Sequence, residues 1–149
     1  MSRSRKPSRS PGAPSRAAGG PLSPAAPCPC GLPAAYGDCC GACHTGRRVP
    51  STPEALMRSR YAAFAVRDAD YLLATWHPDT RPATLDLDED VRWTGLEILA
   101  TTGGTAFHQE GRVEFRAHWT SGGRQGEQRE DSRFVRVAGR WLYLDGESG

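Results

Sequence analysis

Apolar and polar residues alternate strictly from Val113 through Phe115 and Ala117 to Trp119, with Glu114, Arg116 and His118 between them. A period of two marks a half-buried strand. Val91 and Trp93 alternate likewise, and Leu96, Ile98 and Ala100 continue in the opposite phase. The change near Gly95 predicts a bulge, which bends a sheet. Thr102-Gly-Gly-Thr105 and Ser121-Gly-Gly123 read as turns, and further strands are predicted from about Gln128 to Val137 and over Arg140–Leu144. Upstream the period is helical. Ser51-Thr-Pro-Glu54 reads as a helix start, with Ser51 capping, Pro53 in the first turn and Glu54 reaching back to the cap. That helix is predicted to run to about Arg67, with Met57, Tyr61, Phe64 and Ala65 on one stripe. Asp68 caps a second, short helix to about Trp76, which His77-Pro78 ends. Residues 51–146 thus predict an α+β domain of two helices and three or four antiparallel strands. Helices packed in the bend of a curved sheet make a cone with an open mouth.

Ahead of this domain, five cysteines fall between Cys28 and Cys43, in the order Cys28-Pro-Cys30-Gly31, Cys39-Cys40, Cys43, with His44 next. Zinc takes four ligands in a tetrahedron, and thiolates suit it. Cys28 and Cys30 can meet one ion across a tight turn, where Pro29 fixes φ and Gly31 accepts a positive φ. Adjacent Cys39 and Cys40 would diverge on a strand, but on a helical turn they lie about 100° apart. A short helix is therefore predicted at the second pair. Residues 28–44 hold little apolar material beyond Leu32, Tyr36 and a few alanines. Ordering each residue costs about 1–2 kcal/mol, whereas structural zinc in small modules contributes about 10–16 kcal/mol. A single structural Zn2+ is the first expectation, ahead of a redox dithiol or disulfide and of an iron–sulfur cluster. Cys28, Cys30, Cys39 and Cys40 are the expected ligands, with Cys43 or His44 as alternates for the fourth.

Charge divides the chain. Of 19 Lys and Arg, five lie in residues 1–27, which carry no acid; the 14 others face 17 Asp and Glu, leaving the remainder at −3. That argues against a phosphate-backbone binder. The tail, residues 1–27, is rich in Pro, Ser and Arg and is expected to be disordered. No stretch of about 18 apolar residues occurs, so no membrane-spanning helix is expected. No apolar stretch follows the basic residues as a secretory signal requires, so a reducing cytoplasm is expected.

The run Cys28-Pro-Cys-Gly … Tyr36 … Cys39-Cys40-Gly41 resembles the SEC-C zinc motif, a short tail on the bacterial preprotein translocase ATPase. The resemblance implies Cys28, Cys30, Cys39 and Cys40 as ligands and a motif spanning about residues 28–46. Where the motif usually carries Ser-Gly-Lys-Lys, this chain has Leu32-Pro33-Ala34-Ala35, which removes the lysines that would favour an acidic docking partner. Residues 56–77, Leu-Met-Arg-Ser-Arg-Tyr-Ala-Ala-Phe … Asp-Ala-Asp-Tyr-Leu … Thr-Trp-His-Pro, are similar to the YchJ-like family. Val113-Glu-Phe-Arg-Ala-His-Trp119 and Arg133-Phe-Val-Arg … Gly139-Arg-Trp-Leu-Tyr-Leu-Asp-Gly146 fit the same family. The resemblance implies a SEC-C motif joined to a nuclear-transport-factor-two-like (NTF2-like) domain, and carries no assigned reaction.

Within the cone, Trp76, His77, His118, Glu130, Ser132 and Asp145 are the polar or aromatic groups at element ends or on strand faces. A histidine beside a carboxylate would suit acid–base work. The plainer expectation makes His77 a helix-end cap, His118 and Glu130 cross-strand surface partners, and Trp93, Trp119 and Trp141 core. No catalytic triad order, phosphate loop or nucleotide fingerprint occurs. The leading reading is a non-enzymatic adaptor or binding module with an unidentified protein partner, able to dimerise through its sheet. The alternative is a small-molecule enzyme or ligand binder that uses the cone mouth through Trp76, His77, His118 and Glu130.

Overall fold

The computed structural model of the chain describes residues 22–148. The basic residues of the expected tail lie outside the described residues. Its last few do not, and they are held in place: Tyr36 N–H donates to Ala26 O (2.7 Å), Gly37 N–H donates to Pro24 O (2.9 Å), and Pro27 pairs with Ala35. The ordered segment therefore starts ahead of Cys28. Proline-rich chain becomes ordered here because its carbonyls remain acceptors even where its nitrogens cannot donate.

Three helices and four strands follow: α1 (Cys40–His44), α2 (Pro53–Val66), α3 (Ala69–Ala74), β1 (Arg92–Gly103), β2 (Glu110–Ser121), β3 (Arg124–Val137) and β4 (Arg140–Ser148). The N-cap of α2 is Thr52, whose side chain accepts from Ala55 N–H at 3.0 Å, with Pro53 at the first helical position. The expected cap was Ser51 with Glu54 reaching back; Glu54 instead pairs with Arg58 one turn on (3.1 Å). Starting one residue later puts the proline where its missing N–H is not needed. Arg67, in a left-handed conformation (φ 62°), closes α2. Its guanidinium donates to Asp88 O, Glu89 O and Val91 O, tethering the loop that leads to β1. Asp68 caps α3 through Tyr71 N–H, as its position predicts.

The strands form an antiparallel meander in the order β1-β2-β3-β4. Register shifts in β1 fall between Trp93 and Gly95 and between Ile98 and Ala100, so the phase change read near Gly95 is a bulge. A third shift lies opposite Arg133 and Phe134, between β3 and β4. Beyond β4 the residues after α3 add a short parallel bridge: His77 N–H donates to Tyr143 O and Tyr143 N–H to Thr75 O, both at 2.8 Å. His77 is thus an edge residue of the sheet rather than a helix cap, its Nδ1 accepting from Asp79 N–H.

The core lies between α2 and the concave face of the sheet. Leu56, Met57 and Tyr61 meet Val113, Phe115, Ala117, Phe134 and Trp141, with Trp93, Leu96 and Ile98 at the margin. The expected stripe is only half of what α2 buries, since Phe64 and Ala65 are partly exposed while Ser59, Arg60, Ala62 and Ala63 are buried. The convex face carries ion pairs: Arg112–Asp131, Arg129–Glu114, Arg133–Asp145, and Arg116 between Glu97 and Glu127. Among the described residues no helix is long and apolar enough to cross a membrane. Phe134 has no exposed surface and Val137 is 43% exposed. Phe134→Ala should therefore lower stability by about 3–5 kcal/mol, and Val137→Ala by no more than about 0.5 kcal/mol, as read from urea unfolding midpoints.

Candidate metal centre and cone cavity

The knuckle is built by two tight turns. At the first, Gly31 N–H donates to Cys28 O (3.2 Å), and Gly31 takes φ 92°. The turn closed by this bond brings Cys28 and Cys30 to the same side, and the positive φ of Gly31 lets the chain leave it. At the second, a single 3-10 turn, Tyr36–Asp38, leads into α1. Cys39 precedes the helix and Cys40 opens it, as two adjacent ligands facing one point require. A Cβ on Gly41 would lie 2.7 Å from Tyr36 O, so only glycine lets α1 fold back this closely on the Tyr36–Asp38 turn.

The sulfurs of Cys28, Cys30, Cys39 and Cys40 all lie within 4.8 Å of one another. The Cys30–Cys39 pair is 3.7 Å apart, and a tetrahedral ion at about 2.3 Å from each sulfur sets an S–S separation of about 3.8 Å. Cys28, Cys30 and Cys40 are buried, and Cys39 is partly so. Hydrogen bonds from Cys30 and Cys40 pull the Cys28 thiol far below its ordinary value. Hydrogen bonds to Cys28 and Cys30 push Cys40 far up, and burial pushes Cys39 up. Thiolates this close repel one another; a divalent cation at their centre lets all of them ionise. These four cysteines are positioned to bind a metal ion.

The two alternates for the fourth position have other roles. His44 has both ring nitrogens occupied: Nδ1 accepts from Tyr36 Oη (2.5 Å) and Nε2 donates to Ser59 O in α2 (2.8 Å). It also stacks at a tilt on Tyr71, with ring centroids 4.7 Å apart. Cys43 stands apart from the group of four, and burial raises its thiol. The knuckle is seated on α2 by three contacts. Ala62 joins the cluster of Cys28, Cys30 and Cys40; Arg58 donates to Cys30 O (2.8 Å); and His44 reaches Ser59 O.

The cone holds a cavity of about 210 Å³ between α2, the end of α3 and the concave sheet. Of the residues singled out from sequence, Trp76 and Glu130 line it, and so does Ser132. His77 and His118 are not among its lining residues. Glu130 pairs with Phe115 on the inner face, whereas His118 pairs with Glu127 on the outer. The expected His118–Glu130 partnership therefore fails, because the two point through opposite sides of the sheet. His118 bonds Glu97 instead (2.7 Å), and this bond is the main cause that lowers the exposed Glu97 carboxyl. Asp145 pairs with Arg133 on the same outer face (2.6 Å). Trp141 is buried and Trp93 packs at the core margin. Trp119 covers Gly126, where a Cβ would lie 2.3 Å from its ring.

Glu130 is held by three donors: Ser132 Oγ (2.7 Å), Tyr143 Oη (3.3 Å) and Gln128 Nε2 (3.2 Å). It lies across Gly146, where a Cβ would come within 2.1 Å of its carboxylate. Opposite stands Arg60 of α2, only 4% exposed. Its guanidinium sits 5.0 Å from the Trp76 ring and 4.5 Å from the Tyr143 ring. Nη1 donates to Leu72 O and to Thr75 Oγ1, each at 2.7 Å. Burial lowers its pKa to about 10, which leaves it cationic at neutral pH. Sequence reasoning passed over Arg60 because arginine at helical spacing ordinarily marks a solvated face. The signal available was the inward series Gln128, Glu130 and Ser132 on β3, polar where an unbroken core would be apolar.

A cysteine knuckle seated on the helix of an NTF2-like cone defines the class. The family model of the YchJ middle NTF2-like domain matches residues 52–146, and the chain belongs to that family. It is 58% identical over 124 residues to a UPF0225 protein of Streptomyces coelicolor, covering 83% of this chain and 97% of that one. It is 52% identical to a UPF0225 protein of Deinococcus radiodurans, covering 82% and 89%. Two solved structures of SEC-C motif containing proteins share the fold. One, from Rhodopseudomonas palustris, has a TM-score of 0.72 at 36% identity, covering 82% of this chain and 98% of that one. The other, from Psychrobacter arcticus, has a TM-score of 0.69 at 28% identity, covering 82% of each.

His44 works as a clamp between knuckle and helix. His44→Ala should lower stability by about 1–3 kcal/mol, since Tyr36 Oη and Ser59 O lose their partner. His118→Ala, on the exposed face, should shift the unfolding midpoint little.

Proposed function

We propose that the protein is a non-enzymatic binding protein in which one Zn2+, held by Cys28, Cys30, Cys39 and Cys40, has a structural role. One observation carries this reading: four sulfurs within 4.8 Å of one another, packed against Ala62 of the helix that also floors the cone. The metal then staples an N-terminal segment poor in apolar residues to α2, and through α2 to the core. Sulfurs spaced for a single tetrahedral ion support zinc over a multi-iron cage. Five free thiols suit a reducing compartment, the cytoplasm.

The cone supports binding over acid–base catalysis, since no histidine of the described residues lines its cavity beside Glu130. The knuckle's outer turn, Leu32 to Ala34, is exposed, and it is the surface through which an unidentified protein partner would dock. The convex sheet face, crossed by ion pairs, is a surface on which two copies would meet through charge rather than through apolar area.

Metal analysis of the purified protein should find about one equivalent of zinc per chain. Cys30→Ser should lose the metal and open residues 22–46 to protease, whereas His44→Ala should keep the metal. A metal-free wild type with an equally protected knuckle would refute the zinc assignment. Affinity purification of wild type beside a deletion of residues 28–46 tests docking, and identical partner sets would remove that role.

A further inference from the structure

The cone cavity is separate from the cysteine knuckle and does not depend on which ion the knuckle holds. Its polar groups are unevenly satisfied. Among the described residues Arg60 uses only Nη1, leaving Nε and Nη2 without an acceptor. It makes no ion pair there, although burying a cation usually demands one. Trp76 borders the same space, and its Nε1 is buried with no acceptor among the described residues. On the far side, Glu130 has three donors on a carboxylate that accommodates about four. The cavity therefore holds surplus donors at the helix side and one free acceptor position at the sheet side.

The surplus has a shape. The free Nε and Nη2 lie along one edge of a guanidinium and present parallel N–H groups. That edge matches the two oxygens of a carboxylate in a bidentate pair. The guanidinium packs against the Trp76 and Tyr143 rings, which meet edge to face 5.1 Å apart, so it is already oriented before a ligand arrives. The remaining walls are apolar or aromatic, including Met57, Phe64, Trp93 and Phe115. The volume, about 210 Å³, falls below the roughly 300–1,000 Å³ of sites for drug-sized ligands. A single ring with its substituents suits that space.

We propose that this cavity binds a small single-ring organic acid, its carboxylate paired with Arg60 and a hydroxyl or amine on the ring donating to Glu130. The aromatic walls sandwich the ring. Gly146 is part of the site, because only its missing side chain lets the Glu130 carboxylate lie against β4. Tyr143 has two functions, steadying Arg60 with its ring and Glu130 with its hydroxyl. Burial raises that hydroxyl's pKa to about 12, so it stays a donor at neutral pH.

The test uses 4-hydroxybenzoate as probe and the full chain labelled with 15N. Indole N–H signals are followed as the probe is raised to about 10 mM, enough to fill most of a site with a Kd of about 1 mM. The Trp76 signal, assigned with Trp76→Phe, should shift and saturate, while that of Trp141, outside the cavity, should not. The neutral isostere 4-hydroxybenzyl alcohol should bind at least about tenfold more weakly, as should the acid to Arg60→Gln. In Glu130→Gln, 4-hydroxybenzoate should lose its advantage over benzoate. Absence of any Trp76 shift, or equal binding of acid and alcohol to the wild type, would overturn the proposal. The acid–alcohol comparison needs no variant, so it decides the matter even if Arg60→Gln fails to fold.

Discussion

Helix α2 is buried from two sides, and everything else is arranged around that fact. Its Leu56, Met57 and Tyr61 fill the concave sheet. Its Ala62, together with Arg58 and the Ser59 carbonyl, receives the cysteine knuckle. A helix with one wet face would show a single apolar stripe. Here small residues, Ser59, Ala62 and Ala63, occupy the second face, because a knuckle can come close only where side chains are short. The metal site and the core are therefore one packed unit joined through α2. Ordering the knuckle covers a flank of the helix that would otherwise meet water.

The sheet bends because β1 carries two register shifts, and the bend makes room for a cavity. A fully closed core would place apolar side chains at each inward position of β3. Instead Gln128, Glu130 and Ser132 face inward, and Arg60 faces them from α2. Isolated charges in such a place are costly. The fold lowers that cost with two rings packed against the guanidinium and three donors around the carboxylate. The imbalance that remains, unused donors beside Arg60 and Trp76, is what gives the cavity a chemical preference.

Much of the plan was legible in the residues. Period-two alternation located the strands, and its change of phase located the bulge, because side chains on a strand report their face directly. Cysteine spacing located the cluster of four sulfurs, because turns and helix starts constrain neighbours only a few residues apart. Asp68 as a cap was legible for the same local reason. What failed was long-range. His118 and Glu130 looked like possible partners, yet their strands pair with a register that sends them through opposite faces. His77 looked like a helix end but joins an edge bridge to Tyr143, sixty-six positions away in sequence. Ser23 to Pro27 read as free tail, since nothing nearby in sequence announces that Tyr36 and Gly37 will donate to their carbonyls.

By itself, then, the chain of residues determined the α+β plan, the four sulfurs and the family, all of which rest on neighbours within a turn or a strand. Only the tertiary structure decided that His44 bridges Tyr36 and α2, that Arg60 is buried, and that Glu130 faces it across a cavity. Those depend on strand register and on which side of α2 each partner covers. Both are settled when the whole core packs, because a shift of one residue turns every side chain to the other face.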